Sequence, residues 1–191
     1  TGESGILVTS FENFKRYYGG TEAQLWERQA LTKARWITGD ERFGKELSQL
    51  IETCVYDREW SRNMADEIEE MRERMEQATV GKDIKRGLGG IVDIEFTVQL
   101  LQLKYGRNHL HIRTTNTLEA LHRLYHQNLL EDRRYLHLIA AYEFLRKVES
   151  RLRIVHGISY DRLPDSLEAL DKLAKRLGYG SKEGDIPPSG V

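Results

Sequence analysis

Residues Asp83 to Leu103 read DIKRGLGGIVDIEFTVQLLQL, and this stretch decides the fold class. Its closely spaced glycines predict a tight turn, and the apolar residues that follow recur at helical spacing. They lie on two sides of the predicted helix, with Ile91 and Val98 on one side and Val92 and Phe96 on the other. A helix that is apolar on two sides packs against several neighbours. The stretch therefore predicts the central helix of a helical protein.

Asp93 and Glu95 interrupt this apolar run, where a carboxylate is disfavoured unless it has a partner. At about 100° per residue, the two side chains leave the helix on roughly opposite sides, so they do not form a pair. Two interpretations of Asp93 stay open. It is either a first-turn acid that satisfies the helix N-terminus, or a residue that supports a functional site.

Glu95 shares its stripe of the helix with Gln99 and Gln102. One interpretation is a buried ion pair with an arginine of another helix, such as Arg146 or Arg153. The other is that Glu95 faces an open cleft. The two glutamines favour the cleft slightly, because they continue the stripe with polar groups where a packed helix contact would have apolar ones.

The turn before the helix carries two cations, Lys85 and Arg86, followed by Gly87, Gly89 and Gly90. Glycines ahead of a helix leave free backbone N–H groups at the positive end of the helix dipole, and with nearby cations these can hold a phosphate. The spacing is not that of a Walker or dinucleotide-binding loop. A plain helix-entry turn explains the residues equally well.

The rest of the chain also has a helical pattern, starting after a cap at Ser10. We therefore predict an all-α helical bundle with a short extended N-terminal arm, in which residues 1–10 form the arm, 11–179 the bundle and 180–191 a flexible tail. The predicted helices are about Glu22 to Thr38, one capped by Asp40, SRNMADEIEEMRERMEQ, Ile91 to Tyr105, Asn116 to Gln127, Asp132 to about Val155, and SLEALDKLAKRLGY.

Charge and cysteine content argue against several classes of protein. The 191 residues carry 29 Lys plus Arg against 30 Asp plus Glu, a net charge of -1, which provides no field to attract nucleic acid or an anionic membrane. A single cysteine, Cys54, cannot form an internal disulfide and indicates a reducing compartment, the cytoplasm. The chain shows no signal peptide and starts at Thr1, so we expect a piece of a longer soluble protein.

The histidines do not predict a metal site. His122 and His126 lie one turn apart, but Arg123 stands where a zinc protease has glutamate. His109 and His111 lie in a predicted loop. We expect no metal in this chain.

Five segments in order resemble the glutamine synthetase adenylyltransferase (glutamate-ammonia ligase adenylyltransferase) family: SGILVTS, WERQALTKAR, DIKRGLGGIVDIEFTVQLLQL, RTTNTLEAL and AYEFLRKVESRLR. They resemble more distantly the helical region of PII uridylyltransferases. The resemblance runs from about Ser4 to Tyr179, and its GGI-x-D-I-E-F motif is long and specific.

The resemblance implies an enzyme that uses ATP and Mg²⁺ to transfer AMP to a tyrosine of glutamine synthetase, or that removes it by phosphorolysis. Family members bind magnesium through an Asp-x-Asp pair, which this sequence lacks. We therefore expect the chain to be inactive alone and to hold no cofactor. It would be the helical region that follows a nucleotidyltransferase domain, and MADEIEEMRERME slightly favours the AMP-adding half of the family's two similar halves.

The resemblance also suggests roles for the residues of the turn. Lys85, Arg86, Gly89 and Gly90 would lie near the nucleotide phosphates, and Asp93 or Glu95 would support catalysis from beside the cleft of the nucleotidyltransferase domain. The competing hypothesis is a non-enzymatic module that relays the state of a PII-type regulatory protein or of glutamine.

Overall fold

The computed structural model describes residues 8–79, 81–156 and 160–179, and in these residues the fold is all-α, as predicted. The described residues contain no strand or sheet, only an isolated antiparallel bridge between Asp83 and Arg162. No described helix is long and apolar enough to cross a membrane. The helices are α1 Phe11–Gly19, α2 Leu25–Leu31, α3 Glu41–Tyr56, α4 Arg62–Gln77, α5 Ile91–Tyr105, α6 Thr117–His126, α7 Asp132–His156 and α8 Leu167–Arg176, with a 3₁₀ turn at Leu110–Ile112.

Side-chain caps start several of these helices where the sequence predicts them. Ser10 accepts a hydrogen bond from the amide of Asn13 at 3.3 Å, and Asp40 accepts one from the amide of Phe43 at 2.8 Å. Residues 1–7 of the predicted arm and the predicted tail 180–191 lie outside the described residues.

One predicted helix is much shorter than the sequence pattern suggested. We expected a helix from about Glu22 to Thr38, whereas α2 ends at Leu31. The hydroxyl of Thr32 donates to the carbonyl of Gln29 at 2.7 Å, which satisfies a carbonyl at the helix end. The next side chain, Lys33, is drawn into hydrogen bonds with residues more than 80 positions away. Tertiary contacts therefore end the helix.

The chain divides into two compact units. The first unit comprises described residues of 1–74 and 95–136, and the second those of 75–94 and 137–191. The core of the first unit contains Leu25, Leu31, Ile51, Cys54, Val55, Tyr56, Ile68 and Leu103. The core of the second contains Ile84, Val148, Leu152, Leu173 and Leu177.

Helix α5 is buried to the extent that its two-sided apolar pattern predicts. On one side Ile91 and Val98 have no exposed surface, on the other Val92 is buried, and Gln99 and Gln102 are buried as well. The polar stripe of this helix is thus part of the interior, which bears on the interpretation of Glu95.

Candidate functional site

The glycine turn, residues 83–93, lies wholly in the second unit and is paired with an extended segment of the same unit. The amide of Ile84 donates to the carbonyl of Asp161 at 2.8 Å, and the amide of Leu163 donates to the carbonyl of Lys82 at 2.9 Å. These two bonds hold the start of the turn against residues 160–163. The position of Lys85 and Arg86 is therefore set by tertiary pairing as well as by the glycines.

A carboxylate closes each end of the turn. At the first end, Asp83 accepts hydrogen bonds from the amides of Lys85 and Arg86, both at 2.8 Å. At the second end, the Oδ2 atom of Asp93 accepts from the amide of Gly89 at 2.6 Å. Asp93 is the first-turn acid of α5 and fixes the turn that precedes its own helix.

Most of the remaining amides of the turn are also occupied within it. One of our two interpretations was a set of free N–H groups that could hold a phosphate, but most of these amides already have acceptors. An anion bound here would therefore meet side chains rather than a cradle of amides. The bonds run from Gly87 to the carbonyl of Asp83 at 3.0 Å, from Gly90 to Gly87 at 2.9 Å, from Ile91 to Ile84 at 3.0 Å, and from Val92 to Lys85 at 2.9 Å.

Gly90 is required by close approach of the backbone. A Cβ atom at this position would lie 2.8 to 2.9 Å from the carbonyl oxygens of Gly87, Lys85 and Ile84. Gly89 is required for a different reason, since its φ of +72° is unfavourable for residues with a side chain. The two glycines that the sequence singled out thus have separate structural roles.

A chain of alternating charges continues from the turn into α7. The Lys85 ammonium lies 3.8 Å from one carboxylate oxygen of Asp161, and Arg153 lies 3.4 Å from the other. Arg153 and Arg146 both contact Glu149, at 2.6 and 2.7 Å, and Glu149 is only 2% exposed. The two arginines that we considered as partners of Glu95 thus share this buried carboxylate.

Glu95 is half-buried and belongs to the first unit, whereas the other five candidate residues belong to the second. The glutamines of its stripe do not line an open cleft. Gln99 accepts a hydrogen bond from Gln29 at 2.8 Å, and Gln102 makes two bonds to backbone carbonyls. The reason for favouring a cleft-facing Glu95 was therefore wrong, because polar residues on this stripe are compatible with a packed interior.

Sequence reasoning missed Asp83, at the start of the turn, and Asp161, in the segment that is paired with it. Asp83 had a local signal in the sequence. Aspartate side chains in turns commonly accept hydrogen bonds from backbone amides two or three residues later. Asp161 had none, since its pairing depends on a contact across more than 70 positions. Among the described residues, no group of three or more His, Cys, Asp or Glu side chains could hold a metal ion.

Comparison with known families divides the chain into two matches. Residues 1–50 match the family model described as Glutamate-ammonia ligase adenylyltransferase. Residues 62–187 match the model described as GlnD PII-uridylyltransferase. The second match includes the glycine turn. It also includes the series of ion pairs that joins Lys85 through Asp161 and Arg153 to Glu149.

Similar curated proteins carry the name bifunctional glutamine synthetase adenylyltransferase/adenylyl-removing enzyme. The relative from Methylococcus capsulatus is 37% identical over 187 residues, which is 96% of this chain and 20% of the relative. The one from Corynebacterium efficiens is 38% identical over 189 residues, which is 96% of this chain and 18% of the relative. The chain thus spans about a fifth of the length of the curated relatives it matches.

Proposed function

This chain belongs to the glutamate-ammonia ligase adenylyltransferase family, and we propose that it is the helical accessory domain of a longer enzyme. That enzyme would transfer AMP from ATP to a tyrosine of glutamine synthetase, or remove it by phosphorolysis. The proposal is supported by relatives that are named for both activities. Two of them are 37% and 38% identical to this chain, in alignments that cover 96% of it. The match covers only 20% and 18% of these relatives, which agrees with a single domain of a longer enzyme.

The chemistry itself would reside in a nucleotidyltransferase domain of the longer enzyme. No Asp-x-Asp pair occurs in this sequence, and two-metal phosphoryl chemistry requires carboxylates to hold Mg²⁺ against the phosphates. ATP and Mg²⁺ would therefore bind mainly to that domain. The present chain would contribute cations and support from beside the site.

The observation that carries this role is the rigidity of the glycine turn. Most of its amides are engaged and its ends are closed by Asp83 and Asp93, so the turn presents its exposed side chains in a fixed position. Arg86 is exposed and Lys85 is half-buried beside Asp161. Cations held in place before the reaction stabilise developing phosphate charge without the cost of reorganisation.

Asp93 and Glu95 would have different roles in this scheme. Asp93 would act as a positioning residue, because its carboxylate holds the amide of Gly89 and so the shape of the turn. Glu95 is half-buried in the first unit, and it would support the site only if its exposed part meets the nucleotidyltransferase domain of the longer enzyme.

We also propose a PII-type regulatory protein as a partner, because residues 62–187 match a model described for PII-uridylyltransferases. The cytoplasm is the proposed location. A single buried thiol such as Cys54 is compatible with that reducing compartment.

The test is turnover of the full-length enzyme carrying Arg86→Gln or Lys85→Gln. Each change should lower AMP transfer by at least about tenfold, because a preorganised charge is lost at the phosphates. Thermal unfolding followed by circular dichroism should change little, because Lys85 loses only a long, partly exposed ion pair with Asp161. Lys82→Gln is the matched control, since Lys82 is an exposed cation of the same unit whose side chain has no partner among the described residues.

Two outcomes would contradict the proposal. Normal transfer by both variants would remove the turn from the site. Normal basal transfer with a lost response to glutamine or to a PII-type protein would favour a regulatory relay. The chain alone should show no Mg²⁺-dependent transfer of AMP to glutamine synthetase, and robust transfer would show that the active site lies within it.

A further inference from the structure

A cavity of about 300 Å³ lies in the first unit, whereas the glycine turn belongs to the second. It is bordered by the end of α2, by α3 and by the loop at residues 112–116, which we call the threonine loop. Its volume is at the lower end of the range for small-molecule sites. No step of the proposed function uses it.

One wall of the cavity is the indole ring of Trp36, which lies directly against Gly44. A Cβ atom on Gly44 would come within 2.7 to 2.8 Å of three atoms of that ring. Only glycine allows the ring to lie this close to α3. The same ring, together with Ser48 and Glu52, also borders a second hollow on this face of α3. Trp36 thus provides a flat apolar surface that is fixed in place.

Arg113 forms the polar end of the cavity, and its guanidinium is held on several sides. Nε donates to the carbonyl of Gly106 at 2.9 Å, and Nη1 contacts Glu52 at 3.0 Å. The group also lies over the ring of Tyr56, 4.7 Å from its centroid. Nη2 has no partner among the described residues. This edge remains able to donate to a ligand.

The charge of Arg113 is not neutralised by Tyr56. Burial raises the pKa of Tyr56 to about 12, so its ring is uncharged at physiological pH and acts through its π face. Glu52 provides one negative charge at the edge of the cavity, and Arg35 provides a second positive one. Together, Arg35, Arg113 and Glu52 leave the cavity with one net positive charge.

Buried polar contacts fix the threonine loop before any ligand binds. The side chain of Gln102, which is 1% exposed, donates to the carbonyls of Ile112 and Thr114, both at 2.8 Å. Lys33 donates to the carbonyl of Thr115 at 3.2 Å. Burying such groups is unfavourable unless they are satisfied, and here they define the shape of one loop. That loop supplies Arg113, Thr114 and Thr115 to the lining of the cavity.

From this arrangement we infer that the cavity binds a small monocarboxylate with an apolar body. The carboxylate would accept from Nη2 of Arg113 and from Arg35, and the apolar body would lie against Trp36. A guanidinium edge matches a carboxylate in geometry and charge. A phosphate dianion is less suitable, because it would exceed the net charge of the cavity and would lie close to Glu52.

The experiment is an NMR titration of this 191-residue chain with sodium benzoate, followed through the three tryptophan indole N–H signals. Trp36→Phe identifies the Trp36 signal. Benzoate should shift this signal saturably, with a Kd on the order of 1 mM as expected for a ligand of this size. Inorganic phosphate and benzyl alcohol at the same ionic strength should not shift it. A saturable shift by phosphate, or equal shifts of all three signals by benzoate, would overturn the inference.

Two variants locate the carboxylate. Arg113→Gln should weaken benzoate binding at least about tenfold. Since this change also removes structural contacts, Arg35→Gln provides an independent test, because Arg35 is exposed and has no partner among the described residues. It should weaken binding about threefold with unchanged thermal unfolding. Arg107→Gln, an equal charge change in the same unit, should bind benzoate normally, and equal affinity of all three variants would refute the site.

Discussion

The threonine loop of the first unit and the glycine turn of the second are both irregular segments held in a fixed shape, but by different chemistry. The threonine loop is held chiefly by the uncharged amide of Gln102, which donates to two of its carbonyls. The glycine turn is held by the carboxylates of Asp83 and Asp93, which accept from its amides. Two carbonyls of the threonine loop are thus satisfied by a buried neutral side chain, whereas three amides of the glycine turn are satisfied by acids.

This difference shows how polar residues on α5 should be interpreted. A buried glutamine can satisfy backbone groups without carrying a charge into the interior, so it needs no ion partner. A carboxylate is tolerated where amides or cations surround it, and its bonds are stronger but weaken with salt when they are near the surface. Gln102 thus stabilises its loop as an uncharged donor, whereas Asp93 stabilises the glycine turn as a charged acceptor.

The largest effect should come from the backbone of the glycine turn. Gly90→Ala places a Cβ atom against three carbonyl oxygens, so it should lower the free energy of unfolding by about 3 kcal/mol. Denaturant unfolding followed by circular dichroism measures this loss. Gly19→Ala is the matched control, because a Cβ atom at Gly19 would meet nothing within 4 Å. Equal stability of the two variants would show that the turn can open to accept a side chain.

The sequence predicted most of the fold because local chemistry decides where these helices begin and end. Ser10 and Asp40 cap helices with their own side chains, and Gly178, with a φ of +91°, follows the last helix. The helix predicted to end near Thr38 failed for the opposite reason. Its end depends on the contact of Lys33 with the distant threonine loop, which no local pattern contains.

The candidate site was less predictable, since burial depends on distant partners. Gln99 looks like a surface residue in the sequence, but its partner Gln29 lies 70 positions away. Helical spacing placed Glu95, Gln99 and Gln102 on one stripe correctly, but it could not show whether that stripe faced water or protein. The glycines were recognisable from the sequence, whereas the occupation of their amides was not.

The second effect concerns the threonine loop. Gln102→Leu preserves much of the side-chain volume but leaves the carbonyls of Ile112 and Thr114 without their donor. The free energy of unfolding should fall by about 2 kcal/mol, the cost of leaving buried acceptors unsatisfied. Because no charge is involved, the loss should be the same at low and high salt.

Gln77→Leu serves as the control for Gln102→Leu, since Gln77 is exposed at the end of α4. It should change stability by less than about 0.5 kcal/mol. A loss for Gln102→Leu that varied strongly with salt would show that the threonine loop is held by charge, and the comparison with the glycine turn would fail.

The smallest effect should come from the charges behind the glycine turn, and it should depend on salt. Glu149→Gln keeps the shape of the side chain and one acceptor oxygen but removes the negative charge shared by Arg146 and Arg153. The side chains of these arginines are 48% and 39% exposed, so water can solvate them after the change. We therefore expect a loss of about 1.5 kcal/mol in the free energy of unfolding, less than for a fully buried pair. Raising the salt from roughly 0.05 M to about 1 M should reduce this loss, because salt screens the exposed parts of the network.

Glu168→Gln, which alters an exposed pair with Lys172, should change stability by less than about 0.5 kcal/mol. A loss for Glu149→Gln that stayed constant with salt would show that the carboxylate acts through hydrogen-bond geometry alone, as Gln102 does in the first unit.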